Sequence, residues 1–178
     1  MGHREHRLQG PSSVSCAVLT ISDTREVTSD RSGALILRAV RRAGHVVTDY
    51  RIVKDDPRRI VSHLNALARK RLARVVLVTG GTGLGPRDST YEAIAGRLDK
   101  RLDGFGELFR ALSFRSIGSA AMLSRAVAGT YRGLVVFSMP GSPSGVRLAM
   151  TRLILPEIPH LAGLVAKGAR ASRNVHSR

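Results

Sequence analysis

Val75-Val76-Leu77-Val78-Thr79-Gly80-Gly81-Thr82-Gly83-Leu84-Gly85-Pro86-Arg87-Asp88 is the stretch that decides the fold. Its first five residues are apolar or β-branched without a break, the pattern of a strand buried on both faces in a parallel sheet. The glycines that follow let backbone N–H groups come close to an anionic ligand. Open α/β sheets bind ligands at this place, beyond the carboxyl ends of their strands. The loop is not a Walker A loop, because no Gly-Lys-Ser/Thr follows, and Pro86 stands where the dinucleotide fingerprint has its third glycine. Arg87 and Asp88 set a guanidinium suited to phosphate beside a carboxylate suited to a metal. A glycine turn can also merely reverse the chain. Asp88 could equally cap the next helix, a role open to Ser89 or Thr90.

Outward from this stretch, strands and helices alternate. Residues 14–22 form a β-branched strand, and residues 32–43 a helix stopped by Gly44. Val46–Val53 forms the second strand. Asp56-Pro57 then opens a helix with an N-cap acceptor and a proline in the first turn, and Ile60, Leu64, Leu67 and Leu72 carry its apolar face. This alternation predicts an α/β fold with a mostly parallel sheet covered on both faces. Beyond Asp88, residues 90–98 and 105–112 are expected as helices. Residues 126–131 and Leu134–Met139 are expected as strands joined through Arg132-Gly133, and residues 146–155 as a further helix. Residues 1–13 are predicted as a polar arm and 167–178 as a basic tail without apolar periodicity, leaving 14–166 as a single domain.

Charge is the unusual property. There are 29 Lys and Arg against 13 Asp and Glu, a formal +16, which points to anionic partners. Aromatics are 4% of the chain and none interleave with the arginines, so a base-stacking nucleic-acid groove is not expected. No apolar run reaches the ~18 residues of a membrane helix, and a soluble, cytoplasmic protein is expected. The single Cys16 lies in an apolar strand and is expected to be a buried, inert thiol.

Two further segments bear on chemistry. Pro140-Gly141-Ser142-Pro143-Ser144-Gly145 also follows a strand and precedes a helix, so its hydroxyls and N–H groups can face the same crevice. Asp55-Asp56 ends the second strand, and one of the two carboxylates is expected on the same rim as Asp88, with Asp56 taken as the cap.

The chain resembles the molybdenum-cofactor proteins of the MogA/MoaB family in Thr20-Ile21-Ser22-Asp23-Thr24-Arg25, Lys54-Asp55-Asp56, Thr79 to Gly83, Arg87-Asp88-Ser89-Thr90, Gly104-Phe105-Gly106-Glu107-Leu108-Phe109-Arg110, Ser124-Arg125-Ala126 and Pro140-Gly141-Ser142. These motifs run in matching order over about residues 14–160. The resemblance implies a three-layer α/β/α sandwich and a homo-oligomer, trimer or hexamer. It implies transfer of AMP from ATP to the terminal phosphate of molybdopterin with Mg2+, and the molybdenum-insertion enzyme as a candidate partner. It places the catalytic, magnesium-holding acids at Asp55 and Asp88. Substrate and nucleotide contacts fall at Ser22, Asp23, Gly80, Gly81, Thr82, Gly83, Arg87, Glu107, Arg110, Ser124, Arg125, Pro140, Gly141 and Ser142. Active MogA-type members commonly have Pro before the first acid, where Lys54 stands here. That departure, with the Gly-Phe-Gly-Glu-Leu-Phe-Arg segment, is similar to the MoaB branch, in which a non-catalytic molybdopterin-binding or scaffold role is the alternative.

Overall fold

A computed structural model describes residues 10–175, and within the last helix the side chains up to residue 166 and of residue 168. Six strands, β1 (Ser15–Ile21), β2 (Val46–Val53), β3 (Val75–Thr79), β4 (Lys100–Arg101), β5 (Val127–Tyr131) and β6 (Leu134–Met139), form one sheet in the order β2-β1-β3-β6-β5-β4. β2, β1, β3 and β6 are mutually parallel, whereas β5 runs antiparallel to both β6 and β4. The helices are α1 (Arg31–Arg42), α2 (Pro57–Lys70), α3 (Thr90–Ala95), α4 (Asp103–Ile117), α5 (Pro143–Ala149) and α6 (Ile158–Val175).

Alternation along the strands builds two apolar layers. Cys16 and Val18 of β1 point to one face, where they meet Ile36, Val40, Phe109, Val146 and Ile158. Ala17, Leu19 and Ile21 point to the other, against Ile60, Leu64, Leu67 and Ile94. Helices therefore cover both faces, giving the expected three-layer α/β/α sandwich. Each fully buried Leu, Ile or Phe contributes on the order of 1.5–3 kcal/mol. Cys16 is buried as expected, and burial pushes its thiol up to about 12.

Local chemistry fixes the helix ends. Asp56 caps α2 by accepting from the N–H groups of Arg58 (2.8 Å) and Arg59 (3.0 Å). These bonds hold its carboxyl below the usual carboxylate range. Past α1, Gly44 takes φ +80° and donates to the Arg41 carbonyl, the left-handed stop that its position predicts. Arg132 (φ 47°) and Gly133 (φ 82°) both take positive φ in the β5–β6 hairpin, as a tight primed turn requires.

Four boundaries differ from expectation. α3 ends at Ala95, not at residue 98, because Gly96 caps it and the chain turns back to pair Lys100 with Thr130. α4 covers Asp103–Ile117 rather than 105–112. Phe105 packs edge-on to Phe137 (centroids 5.1 Å apart) and stacks on Phe109, so packing overrides the poor helix propensity of Gly104 and Gly106. The helix expected at 146–155 starts at Pro143 behind an N-cap at Ser142, then passes into a π-helical turn, Met150–Ile154. Finally, α6 runs to Val175, so the backbone stays helical into the span set apart as a tail. Residues 1–9 of the arm, and the side chains of Lys167, Arg170, Arg173 and Arg178, lie outside the described residues.

Candidate functional site

The chain leaves β1 for β2 on one side and returns through α2 to β3 on the other, so the direction of winding switches between β1 and β3. At such a switch point the loops diverge and leave a crevice beyond the strand ends. Here it measures about 510 Å³ and is lined by Thr20, Arg25, Asp30, the Gly80–Gly83 loop, Asp88, Ser124 and the Pro140–Ser142 loop. The two glycine-containing loops therefore face one space. They are tied down from behind: Ser32 Oγ donates to the Gly141 carbonyl (2.7 Å), and Thr79 Oγ1 to that of Pro140 (3.1 Å).

Both acids expected to be functional pack against the first loop. Gly81 takes φ +62°, and a Cβ there would stand 2.3 Å from Asp55 Oδ2 and 2.1 Å from Thr90 Oγ1. A Cβ on Gly83 would stand 2.5 Å from Asp88 Oδ2. The loop lacks side chains where the carboxylates lie.

Asp55 Oδ1 accepts from Ser89 N–H (3.2 Å), Ser89 Oγ (2.8 Å) and Thr90 Oγ1 (3.3 Å). It thereby holds the first turn of α3 but, unlike Asp88, does not line the crevice, and Asp23 Oδ1 accepts from the Asp55 N–H at 3.2 Å. Asp88 caps no helix. It accepts from Gly85 N–H (3.1 Å) and closes its own loop, while Ser89 occupies the N-cap position of α3 without a side-chain capping bond. Asp55 Oδ2 and Asp88 Oδ1 carry no hydrogen bond among the described residues. No three His, Cys, Asp or Glu side chains gather into a metal cage among those residues. Magnesium needs no such cage: one or two carboxylates suffice when phosphate oxygens and waters complete its octahedron.

The remaining expected residues divide. Pro140, Gly141, Ser142, Ser124 and Gly80 to Gly83 line the crevice. Ser22 shapes its rim through an Oγ that accepts from Thr24 and Arg25 N–H groups (3.3 and 3.1 Å). Arg125 is not a free cation. Its Nε donates to the Thr82 carbonyl (2.8 Å), its guanidinium also bonds the Gly83 carbonyl and Glu92, and it stacks 4.8 Å over the Tyr91 ring. Arg125 therefore clamps the loop, and its bond holds the Glu92 carboxyl below the usual range. Arg87 is exposed outside the crevice lining, Glu107 lies on the exposed side of α4, and Arg110 folds back over Gly106.

Two charged residues of the lining, Arg25 and Asp30, were not among the expected site residues. Asp30 is buried and lines the crevice while accepting from Gly33 N–H (2.8 Å) and Tyr50 Oη (2.7 Å). Burial, then the bond to Asp30, pushes the Tyr50 phenol up to about 12. The signal was available, since Asp30 precedes the apolar periodicity of α1 at the distance of an N-cap.

A switch-point crevice with two carboxylates packed on its glycine loop defines an α/β protein with a ligand-sized site beyond its strand ends. Residues 17–160 match the family described as "Probable molybdopterin binding domain". Molybdenum cofactor biosynthesis protein B of Halalkalibacterium halodurans is 49% identical over 168 residues, covering 94% of this chain and 99% of that protein. The protein of the same name from Bacillus cereus is 52% identical, covering 90% and 96%. A crystal structure of a molybdenum cofactor biosynthesis protein B superposes with a TM-score of 0.85 at 51% identity, over 88% of this chain and 98% of the other. A tungsten cofactor synthesizing MoaB from Pyrococcus furiosus superposes at 0.75 and 39% identity, over 85% and 96%. The chain belongs to this molybdopterin-binding family, among the molybdenum cofactor biosynthesis proteins of the MoaB and MogA kind.

Proposed function

We propose that the chain acts in molybdenum cofactor biosynthesis by transferring AMP from ATP to the terminal phosphate of molybdopterin, with Mg2+. The observation that carries this reading is the convergence of Asp55 and Asp88 on one glycine loop, Asp55 against Gly81 and Asp88 against Gly83 in the crevice lining. A terminal phosphate oxygen, already anionic at neutral pH, attacks the α-phosphorus of ATP. An O–P bond forms there, the bond to the bridging oxygen breaks, and pyrophosphate leaves with the electron pair. No general base is needed, so positioning and charge neutralisation dominate. The free oxygens of Asp55 and Asp88 would hold Mg2+, which would supply charge neutralisation on the phosphates. The Gly80 to Gly83 amides would cradle a phosphate, and Arg25, which lines the crevice, would offset its charge. Arg125 would act through the loop that it clamps.

A second reading is favoured by Lys54 and by the structural work Asp55 does at α3: a non-catalytic molybdopterin-binding or scaffold protein. Incubating the protein with molybdopterin and MgATP and analysing for adenylylated product separates the two. Absence of product with molybdopterin bound would leave the scaffold reading standing.

Assembly belongs to the same proposal. Leu108, Phe114, Ile117, Met122 and Leu123, on α4 and the turn after it, are each more than half exposed. Large exposed apolar patches mark association sites, and a homotrimer or hexamer built through this region would cover these side chains. Leu123 also lines the crevice, so a neighbouring copy would stand at its mouth.

A further inference from the structure

The outer edge of β2, with the flank of α2 beside it, forms a basic groove that the molybdopterin reading leaves unused. β2 ends the sheet, so one side of its backbone has no strand partner among the described residues. Its first half is irregular: Cys16 pairs with Val47 and Ala17 with Asp49, which leaves Thr48 bulged. Bulges blunt an edge against pairing. From Asp49 to Val53 the register is regular, so this part of the edge is competent to pair. Asp49 and Arg51 face the α2 layer, where Asp49 Oδ2 lies 2.8 Å from His63 Nε2 and Oδ1 lies 3.5 Å from Arg51 Nε. Tyr50, between them, points the other way, toward Asp30.

The groove between this edge and α2 measures about 760 Å³, and Arg51, Lys54, Arg58, Arg59 and His63 line it. Arg58 and Arg59 sit in the first turn of α2, which holds no acid. A helix N-terminus favours negative charge, so two cations there disfavour the helix rather than support it. Lys54, Arg58 and Arg59 form no salt bridge among the described residues, Asp56 at the N-cap offsets Arg58 and Arg59 only in part, and Asp49 is already engaged by His63 and Arg51. The result is a cationic slot beside an open strand edge.

We propose that this groove receives an extended acidic segment of a partner protein, which adds as a strand beside residues 49–53. A strand repeats every second residue, so acids at alternate positions would face Arg51, Arg58 and Arg59 together. Main-chain hydrogen bonds to the edge would supply affinity, and the charges would set register. Nucleic acid fits less well. No aromatic side chain lines the groove to stack on a base, and a phosphate backbone cannot pair with alternating N–H and C=O groups. This inference does not depend on the adenylylation reading.

The test titrates the full chain, at fixed salt, with a short labelled peptide alternating Glu and Thr. A peptide of the same composition with its Glu residues in one block, and single- and double-stranded DNA, serve as comparisons. The alternating peptide should bind at least about tenfold more tightly than the block peptide, a gap of about 1.4 kcal/mol. It should also slow hydrogen exchange of amides within 49–53. Arg58→Glu with Arg59→Glu should weaken it about tenfold or more, and Arg51→Thr should weaken it too. Acids suit a first helical turn, so the double reversal should not lower the melting temperature, and lost binding would not be lost folding. Equal binding of both peptides without amide protection would reduce the groove to a counterion cloud and overturn the proposal. DNA binding more tightly than either peptide, and lost in the same variant, would overturn it in favour of a nucleic-acid surface.

Discussion

Replacing Asp88 by Asn keeps the shape and the acceptor that receives the Gly85 N–H, and removes one negative charge from the crevice. If the proposed reaction is correct, turnover should fall by orders of magnitude while the melting temperature holds. Asp55→Asn should do the same, since an amide oxygen can still accept from Ser89. Asp56→Asn should be nearly silent, because Asn caps about as well as Asp. Steady-state adenylylation by the three variants checks the pattern; equal, small effects at all three would refute the catalytic assignment. A separate expectation concerns Asp30. Tyr50→Phe removes one of its two donors in a buried setting and should cost about 1–3 kcal/mol in urea unfolding. An unchanged midpoint would show that another donor replaces the phenol. At this scale the meeting of Asp55, Asp88 and the glycines was legible only through the order of the family's motifs, because a glycine turn and an acid before a helix each have a plain structural reading of their own. The clamp that Arg125 makes on the loop was not legible, because an arginine shows its charge and not its partners, and only folding brings Glu92 and the Thr82 carbonyl within reach.

The elements whose periodicity is strong, β1 to β3 with α1 and α2, were legible nearly to the residue, since capping and apolar spacing agree there. The second half was not, because long-range packing decides it: Phe105 on Phe137 draws out α4, and the pairing of β4 with β5 cuts α3 short. Between α1 and β2 stands a residue whose state can be followed by titration. His45 is buried, and burial lowers its pKa below the ordinary imidazole value of about 6.5. In the window below about pH 6.5 the unfolded chain binds a proton that the folded chain does not. Stability should therefore fall as pH drops through this window and stay flat, for this group, above it. Melting temperatures from pH 7.5 down to about 5.5 should show that fall, and His45→Gln should show a shallower one. Identical slopes would mean that His45 titrates alike in both states.

For the whole molecule, the apolar surface on α4 and the basic groove on β2 and α2 lie toward opposite ends of the sheet, so self-association and partner binding need not compete. The chain carries +16, and self-repulsion of that size opposes association of like copies. Assembly then has to come from apolar contact that exceeds the repulsion, and its strength should rise as salt screens the charge. Phe114 and Ile117 are the natural probes, since both are exposed on α4 without belonging to the crevice wall formed by the glycine loops. Phe114→Glu with Ile117→Lys should leave the fold of the single chain intact, because neither side chain is part of either apolar layer. The pair would also put opposed charges on each copy without changing net charge, so a loss of association could not be ascribed to added repulsion. Light scattering at micromolar concentration should return a trimer or hexamer for the parent chain and a monomer for the double variant. A parent chain that stayed monomeric at high salt would refute the assembly, and a variant that stayed oligomeric would place the interface elsewhere on the surface.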